Sequence, residues 1–288
     1  KGYANVYASA DPAGPIVSAT EPTQQSDTTP LVTGDLWIST ADLENYPQVH
    51  KYNADLAKWI ALDEADQTTE ETDFLISIAE NNNFIKGVVG WVDLRSESIE
   101  EDLLKYKKHD VVKGFRHVVQ GEQDHNFMLR PEFLRGIELL GKYDLCYDIL
   151  IFPHQLGAAL ELVKKFPNQK FVIDHIAKPY IKDGFFEGWA VMMREIAKHQ
   201  NVYCKISGMI TEADYKTWTP EQVHPYMKLV LEFFGTGRVM YGSDWPVCLV
   251  AGNYSMVMAL VTDFITDLSQ EQQNAIMGGN AAKFYNLK

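Results

Sequence analysis

The 288-residue chain has only three cysteines, Cys146, Cys204 and Cys248, widely spaced and without a CxxC pair. An odd, scattered set excludes a disulfide framework and predicts free thiols in a reduced, cytoplasmic setting. No run approaches the roughly 18 apolar residues of a transmembrane helix. The opening KGYANVYASADPAG lacks the apolar stretch of a signal peptide, and it starts at Lys1 rather than Met, as a fragment or a processed product would. Positive charge is scarce. A net charge of −13 argues against a broad phosphate-binding surface, so neither nucleic acid nor an anionic membrane is an expected partner.

What is present is an ordinary globular composition, 46% hydrophobic and 23% charged, enough for one barrel-type domain or two smaller ones. Its two ends differ. Up to Gln67 the chain carries 10 acids, 3 lysines and no arginine, and the first arginine is Arg95. Residues 8–34 are rich in Ser, Thr, Pro, Gly and Gln with almost no hydrophobic periodicity, the pattern of an extended linker or loop. DLWIST (35–40) and the pair VHKY/KWIAL around Asn53-Ala54-Asp55 predict short strands and a β-hairpin. The boundaries expected are an irregular, β-hairpin segment at 1–68 and a barrel domain at 69–288.

From Thr72 the rhythm becomes alternating helix and strand. Phe74, Leu75, Ile78 and Ala79 fall at helical spacing, and six apolar segments follow: 84–94, 111–119, 146–152, 170–176, 201–207 and 238–245. Amphipathic stretches at about 97–108, 131–142, 155–166, 186–199 and 220–234 separate them, and two more at 254–268 and 270–284 come after. Apolar strands alternating with helices imply parallel strands buried on both faces, hence an α/β fold of the (β/α)8 TIM-barrel type. Eight strands close such a barrel. WIALDEAD (59–66) is the one further candidate, so an incomplete barrel with atypical first strands is expected, and its open edges imply aggregation or an oligomer that covers them.

Chemistry in such folds gathers where strands run into the following loops. The polar residues there are Asp93, Arg116 and His117, Asp148, His154, Asp174 and His175, Lys205, and Ser243 with Asp244. His175 and Asp244 form the leading pair. A neutral imidazole can hold a divalent metal or stabilise a developing charge, and a carboxylate can take a proton from an attacking water. The plainer alternatives are a satisfied core histidine and a turn-capping aspartate. Arg116 suits a substrate carboxylate or hydroxyl, or a pairing with Glu122. His117 and His154 read as pocket residues or as hydrogen-bonded loop histidines. Lys205, inside a strand, needs a partner, so an ion pair with Asp148 or Asp174 competes with a substrate role. Lys178 reads as a solvated surface charge, and Asp93 and Asp174 as structural.

The segments GVVGWVDL, VKGFRHVVQGEQDHNFM, PEFLRGIELL, YDILIFPHQLGAALELVKKFPNQKFVIDHIAKP, VYCKISGM, VMYGSDWPV and NAAKFYNL resemble, in order, the amidohydrolase-2 family, in particular its sugar- and dicarboxylate-lactonase branch, over about 66–288. That resemblance implies a barrel hydrolysing small cyclic esters. Asp244 would be the general base and His175 a metal ligand or electrophile, with Arg116, His117, His154 and Lys205 contacting a small-molecule lactone. A divalent ion such as zinc, on His175 and Asp244, belongs to the same expectation. The departure is the family's opening His-x-His pair, which occurs nowhere here. Without it a family-type tetrahedral zinc site is not assembled, so a metal-free enzyme or a catalytically impaired barrel are both open. Residues 1–68 resemble instead a segment of a contractile phage tail sheath protein, which admits a chimera or a structural role.

Overall fold

Six short strands in the second part of the chain pair in sequence order into one parallel sheet. They are β5 (Val88–Gly90), β6 (Val112–His117), β7 (Cys146–Ile149), β8 (Phe171–Ile173), β9 (Val202–Ile206) and β10 (Val239–Tyr241). The coordinates are a computed structural model and describe residues 16–25, 28–32, 35–39, 41, 48–54, 57–62 and 67–288. Between consecutive strands run α2 (Ile99–Tyr106), α3 (Pro131–Lys142), α4 (Leu156–Lys165), α5 (Glu187–Ala197) and α6 (Pro220–Phe234); α1 (Thr69–Glu80) precedes β5. After β10 come α7 (Tyr254–Phe264) and a broken stretch, Gln270–Asn274 and Asn280–Phe284, interrupted by a π-type turn at Ala275–Gly279. All six strands expected from the apolar runs are therefore present, as are their crossover helices.

Helix boundaries follow local chemistry. Thr68 caps α1 by accepting from the Glu71 amide, and Glu70 and Glu71 place negative charge at the positive end of the helix. Pro131 and Pro220 occupy first-turn positions, where a missing N–H costs nothing. The outward face of the sheet, with Phe115, Tyr147, Ile149, Phe171, Ile173, Cys204, Ile206 and Val239, packs against Phe133, Ile137, Leu162, Met193 and Val230 of the helices, all buried. The inward face carries Cys146, Val172 and Met240, with Tyr203 beside them. Apolar contact on both faces is why these strands read as continuous hydrophobic runs.

The sheet is a curled half-barrel. Among the described residues β5 and β10 are its two ends and do not pair with each other. The segment put forward as a further barrel strand is used elsewhere. Its residues 59–62 lie in β4 (Lys58–Leu62), which pairs antiparallel with β3 (Gln48–Asn53). Paired antiparallel in that hairpin, it belongs to a separate sheet from the parallel one; its remainder, 63–66, lies outside the described residues. β2 (Leu36–Ser39) adds antiparallel to β3, and β1 (Ile16–Ser18) adds parallel to β2. The expected hairpin is present. The expected linker at 8–34 is corrected at Ile16–Ser18, whose backbone is held in register with Trp37–Ser39. No helix among the described residues is long and apolar enough to cross a membrane. The three cysteines are free, as their spacing predicts, and buried.

Candidate active site

Strand alternation places Arg116, Asp148 and Lys205 on the inward face, and Asp174 joins them just beyond β8. Lys205 Nζ lies 2.6 Å from Asp148 Oδ2 and 2.7 Å from Asp174 Oδ1, while Arg116 Nη1 reaches Asp174 Oδ2 at 3.3 Å. Both carboxylates are 1% exposed and Lys205 is 20% exposed. Two anions withdrawn this far from water require cations at hydrogen-bonding distance. Burial works against the Asp174 anion, but Lys205, His175 and Arg116 outweigh it and hold the carboxyl at about 2. Burial likewise works against the Lys205 cation, yet the two aspartates keep its pKa well above the ordinary value. For Asp148 burial prevails and its pKa is raised. The Lys205 ion pair anticipated from sequence thus exists with both aspartates, and Arg116 pairs with Asp174 rather than Glu122.

His175 and Asp244 form a second group at the same end of the sheet. His175 Nε2 is 3.5 Å from Asp244 Oδ1, and His175 Nδ1 shares a 2.8 Å hydrogen bond with Ser207 Oγ. The chain delivers His175 by an unusual route. From His175 to Lys178 four successive residues have φ between 48° and 58°, and Asp244 has φ 54°. Left-handed backbone is unfavourable for side-chain-bearing residues, Ile176 above all, so the surroundings must over-determine this turn. Gly208, with φ 63°, backs the ring; a Cβ there would stand 2.8 Å from His175 Cβ, Cγ and Nδ1.

Electrostatics separate the two partners. Burial drives the His175 pKa to about 3, with Asp174 only partly opposing, so the imidazole is neutral. Burial pushes the Asp244 carboxyl up to about 7 against the pull of Lys178, with Glu212 adding to the rise. Thr211 Oγ1 lies 3.4 Å from Asp244 Oδ2. Lys178 is 4% exposed and pairs with Glu212 at 3.1 Å, so its reading as a solvated surface charge is corrected. Ser207, Gly208, Thr211 and Glu212 went unnoticed in the sequence. A cavity of about 510 Å³ opens beside them, lined by Thr211, Glu212, Tyr215 and Lys182 among others.

His154 and His117 separate. His154 is exposed on the turn after β7, its ring 4.3 Å from His125 and 6.0 Å from Phe152, over which Lys178 Nζ lies at 5.6 Å. It therefore stands on the rim. His117 points the other way, 2% exposed, stacked on Phe127 at 4.8 Å and bonded to Glu122 at 2.8 Å. It follows Arg116 in one strand, so the two cannot share a face. Asp93 pairs with Arg95 at 2.9 Å, a structural contact at the end of its strand segment.

Among the described residues no group of three or more His, Cys, Asp or Glu side chains is placed to hold a metal ion. His175 and Asp244 offer two donors, one fewer than the three protein ligands of catalytic zinc, so the donor set present does not fit the expected ion.

A family model described as amidohydrolase matches residues 41–287. The L-fucono-1,5-lactonase of Burkholderia ambifaria is 35% identical over 226 residues, covering 76% of this chain and 77% of the relative. The L-rhamnono-gamma-lactonase of Scheffersomyces stipitis is 27% identical over 224 residues, covering 67% and 66%. A crystal structure of an amidohydrolase from Burkholderia multivorans with bound zinc superposes with a TM-score of 0.74 at 34% identity, over 77% of this chain and 80% of that one. The family match begins inside the segment that composition sets apart, and these similarities lend no support to a tail-sheath origin for residues 1–68.

Proposed function

This chain belongs to the amidohydrolase family, and on that footing we propose that it hydrolyses a small lactone with Asp244 as the general base. The observation that carries the reading is the pairing of a neutral His175 with an Asp244 carboxyl poised near pH 7, in contact at 3.5 Å. A general base works best when its pKa lies near the working pH. As a carboxylate, Asp244 takes a proton from water while the oxygen adds to the lactone carbonyl. The resulting oxyanion needs positive charge in a water-poor site, which Lys178 supplies from its buried position. Collapse breaks the ring C–O bond, and the Asp244 carboxyl returns its proton to the leaving alkoxide, giving a hydroxy acid.

Arg116, Lys205 and His154 are assigned to substrate contact. The relatives named as sugar lactonases favour an aldonolactone, and dicarboxylate lactones rank second because Arg116 and Lys205 carry positive charge into the cleft. In this reading residues 69–288 form the working domain, the compartment is a reducing cytoplasm, and a homo-oligomer covers the free edges of β5 and β10. The competing reading is an impaired family barrel, favoured by the two-donor count.

Proton release by purified protein against a panel of sugar and dicarboxylate lactones decides between them. Turnover that falls about 10²–10⁴-fold in Asp244→Asn, the usual worth of a general base, supports the lactonase. A folded wild-type protein inert on the whole panel, with or without added zinc, leaves the impaired barrel.

A further inference from the structure

The end of the chain does something that the reaction above does not use. Asn280 anchors it beside β10 by donating from Nδ2 to the carbonyls of Thr236 at 2.7 Å and Val239 at 2.6 Å. Phe284 then packs against Cys146, Val172 and Met240, its ring 4.8 Å from that of Tyr203. Tyr285 donates its phenol proton to Asp148 Oδ2 at 2.7 Å. Beyond it, Lys113 Nζ reaches the Asn286 carbonyl at 3.5 Å, and Leu287 lies against Gly87, just ahead of β5. The last nine residues thus cross the inward side of the half-barrel, from the strand at one end to the strand at the other.

One contact on that path touches the cleft's charges. Asp148 Oδ2 accepts from two donors at once, Tyr285 Oη at 2.7 Å and Lys205 Nζ at 2.6 Å, and the Lys205 ammonium sits 5.6 Å from the centre of the Tyr285 ring. A carboxylate held by one donor can rotate about its terminal torsion, which is broad; a second donor on the same oxygen removes that freedom. Burial raises the phenol pKa well above its ordinary value, which keeps the proton on the donor. We propose that Tyr285 is a positioning residue of the active site: it locks Asp148, so that Asp148 and Asp174 present the Lys205 ammonium to substrate in one place. What Lys205 does for substrate rests on the lactone reading; the locking of Lys205 does not.

Tyr285→Phe removes one oxygen and keeps the ring, so the packing survives. The test has two arms. In the first, full-length wild type and variant are acylated with N-hydroxysuccinimidyl acetate, and each lysine is followed by mass spectrometry. Lys205 should label about fivefold faster in the variant, the order of the net worth of one hydrogen bond, with the exposed Lys198 unchanged. In the second arm, KM for the best lactone should rise about fivefold with kcat within about twofold, and the same substitution in a Lys205→Met background should add nothing further. Unchanged labelling of Lys205 in the Phe variant overturns the proposal, as does a KM penalty that persists without Lys205. If no lactone is turned over by the wild type, the lactone reading has failed and the labelling arm alone decides.

Discussion

His175 Nε2 and Asp244 Oδ1 meet at 3.5 Å, and burial moves the two groups in opposite senses, the imidazole down to about 3 and the carboxyl up to about 7. Both shifts have one cause: a charge is costly where water has been excluded. The result is a neutral histidine beside an aspartate that titrates near neutrality, as the proposed water activation requires.

Activity should therefore rise with pH along a limb centred near 7, because only the Asp244 carboxylate can accept the proton. Stability should move the other way. A carboxyl whose folded pKa exceeds its unfolded value favours folding fully below the unfolded value and loses that contribution as pH rises through the folded one. Wild-type stability should thus decline as pH climbs from about 4 to 7, the unfolded range for aspartate and the folded value here. Asp244→Asn should erase this decline while lowering turnover about 10²–10⁴-fold. A pH series of thermal melts beside a pH–rate profile measures both; a flat rate profile across pH 6–8 would contradict the assignment of Asp244 as base.

Gly208→Ala is expected to damage the site from behind. The new Cβ would stand 2.8 Å from the His175 ring, at a residue whose φ of 63° already disfavours a side chain. The cost should be about 1–2 kcal/mol in stability from the left-handed backbone. A larger loss should appear in kcat, since displacing His175 disturbs its contacts with both Ser207 and Asp244. Thermal melts and steady-state kinetics on the one variant separate these effects. Retention of full kcat would show that the ring's position is not critical.

Much of this architecture is written in the chain at a scale that single-sequence patterns can carry. Six strands buried on both faces leave apolar runs such as YDILIF and KFVIDHI, and the register in which they pair brings Arg116, Asp148 and Lys205 inward. Asp174 and His175 both reach the charged cluster at the strand ends although adjacent. Period-two alternation would forbid this in a strand, but the chain leaves β8 at Ile173 and enters the left-handed turn. Nothing in Ile176-Ala177 announces such a turn, since neither residue favours positive φ, and so the sequence pattern makes Lys178 a surface charge when it is buried against Glu212. Ser207, Thr211 and Glu212 matter through contacts 32 to 34 residues away in sequence, beyond the reach of local periodicity.

His117 is the residue where alternation could have decided the matter, and it supplies the last test. Because Arg116 faces the cleft, its strand neighbour must face the helices, where it stacks on Phe127 and bonds to Glu122 at 2.8 Å. Burial lowers its pKa, with Glu122 only partly opposing. A base with a depressed folded pKa lowers stability as pH falls below its unfolded value, because only the unfolded chain then takes up the proton readily. His117→Leu should leave KM for any lactone unchanged. At neutral pH it should cost about 1–3 kcal/mol, the penalty for stranding the partly buried Glu122 carboxylate. Below about pH 6.5, the ordinary histidine range, that deficit relative to wild type should shrink. Urea melts at pH 7.5 and 5.5 measure the two differences; a raised KM in a stably folded variant would instead place His117 in contact with substrate.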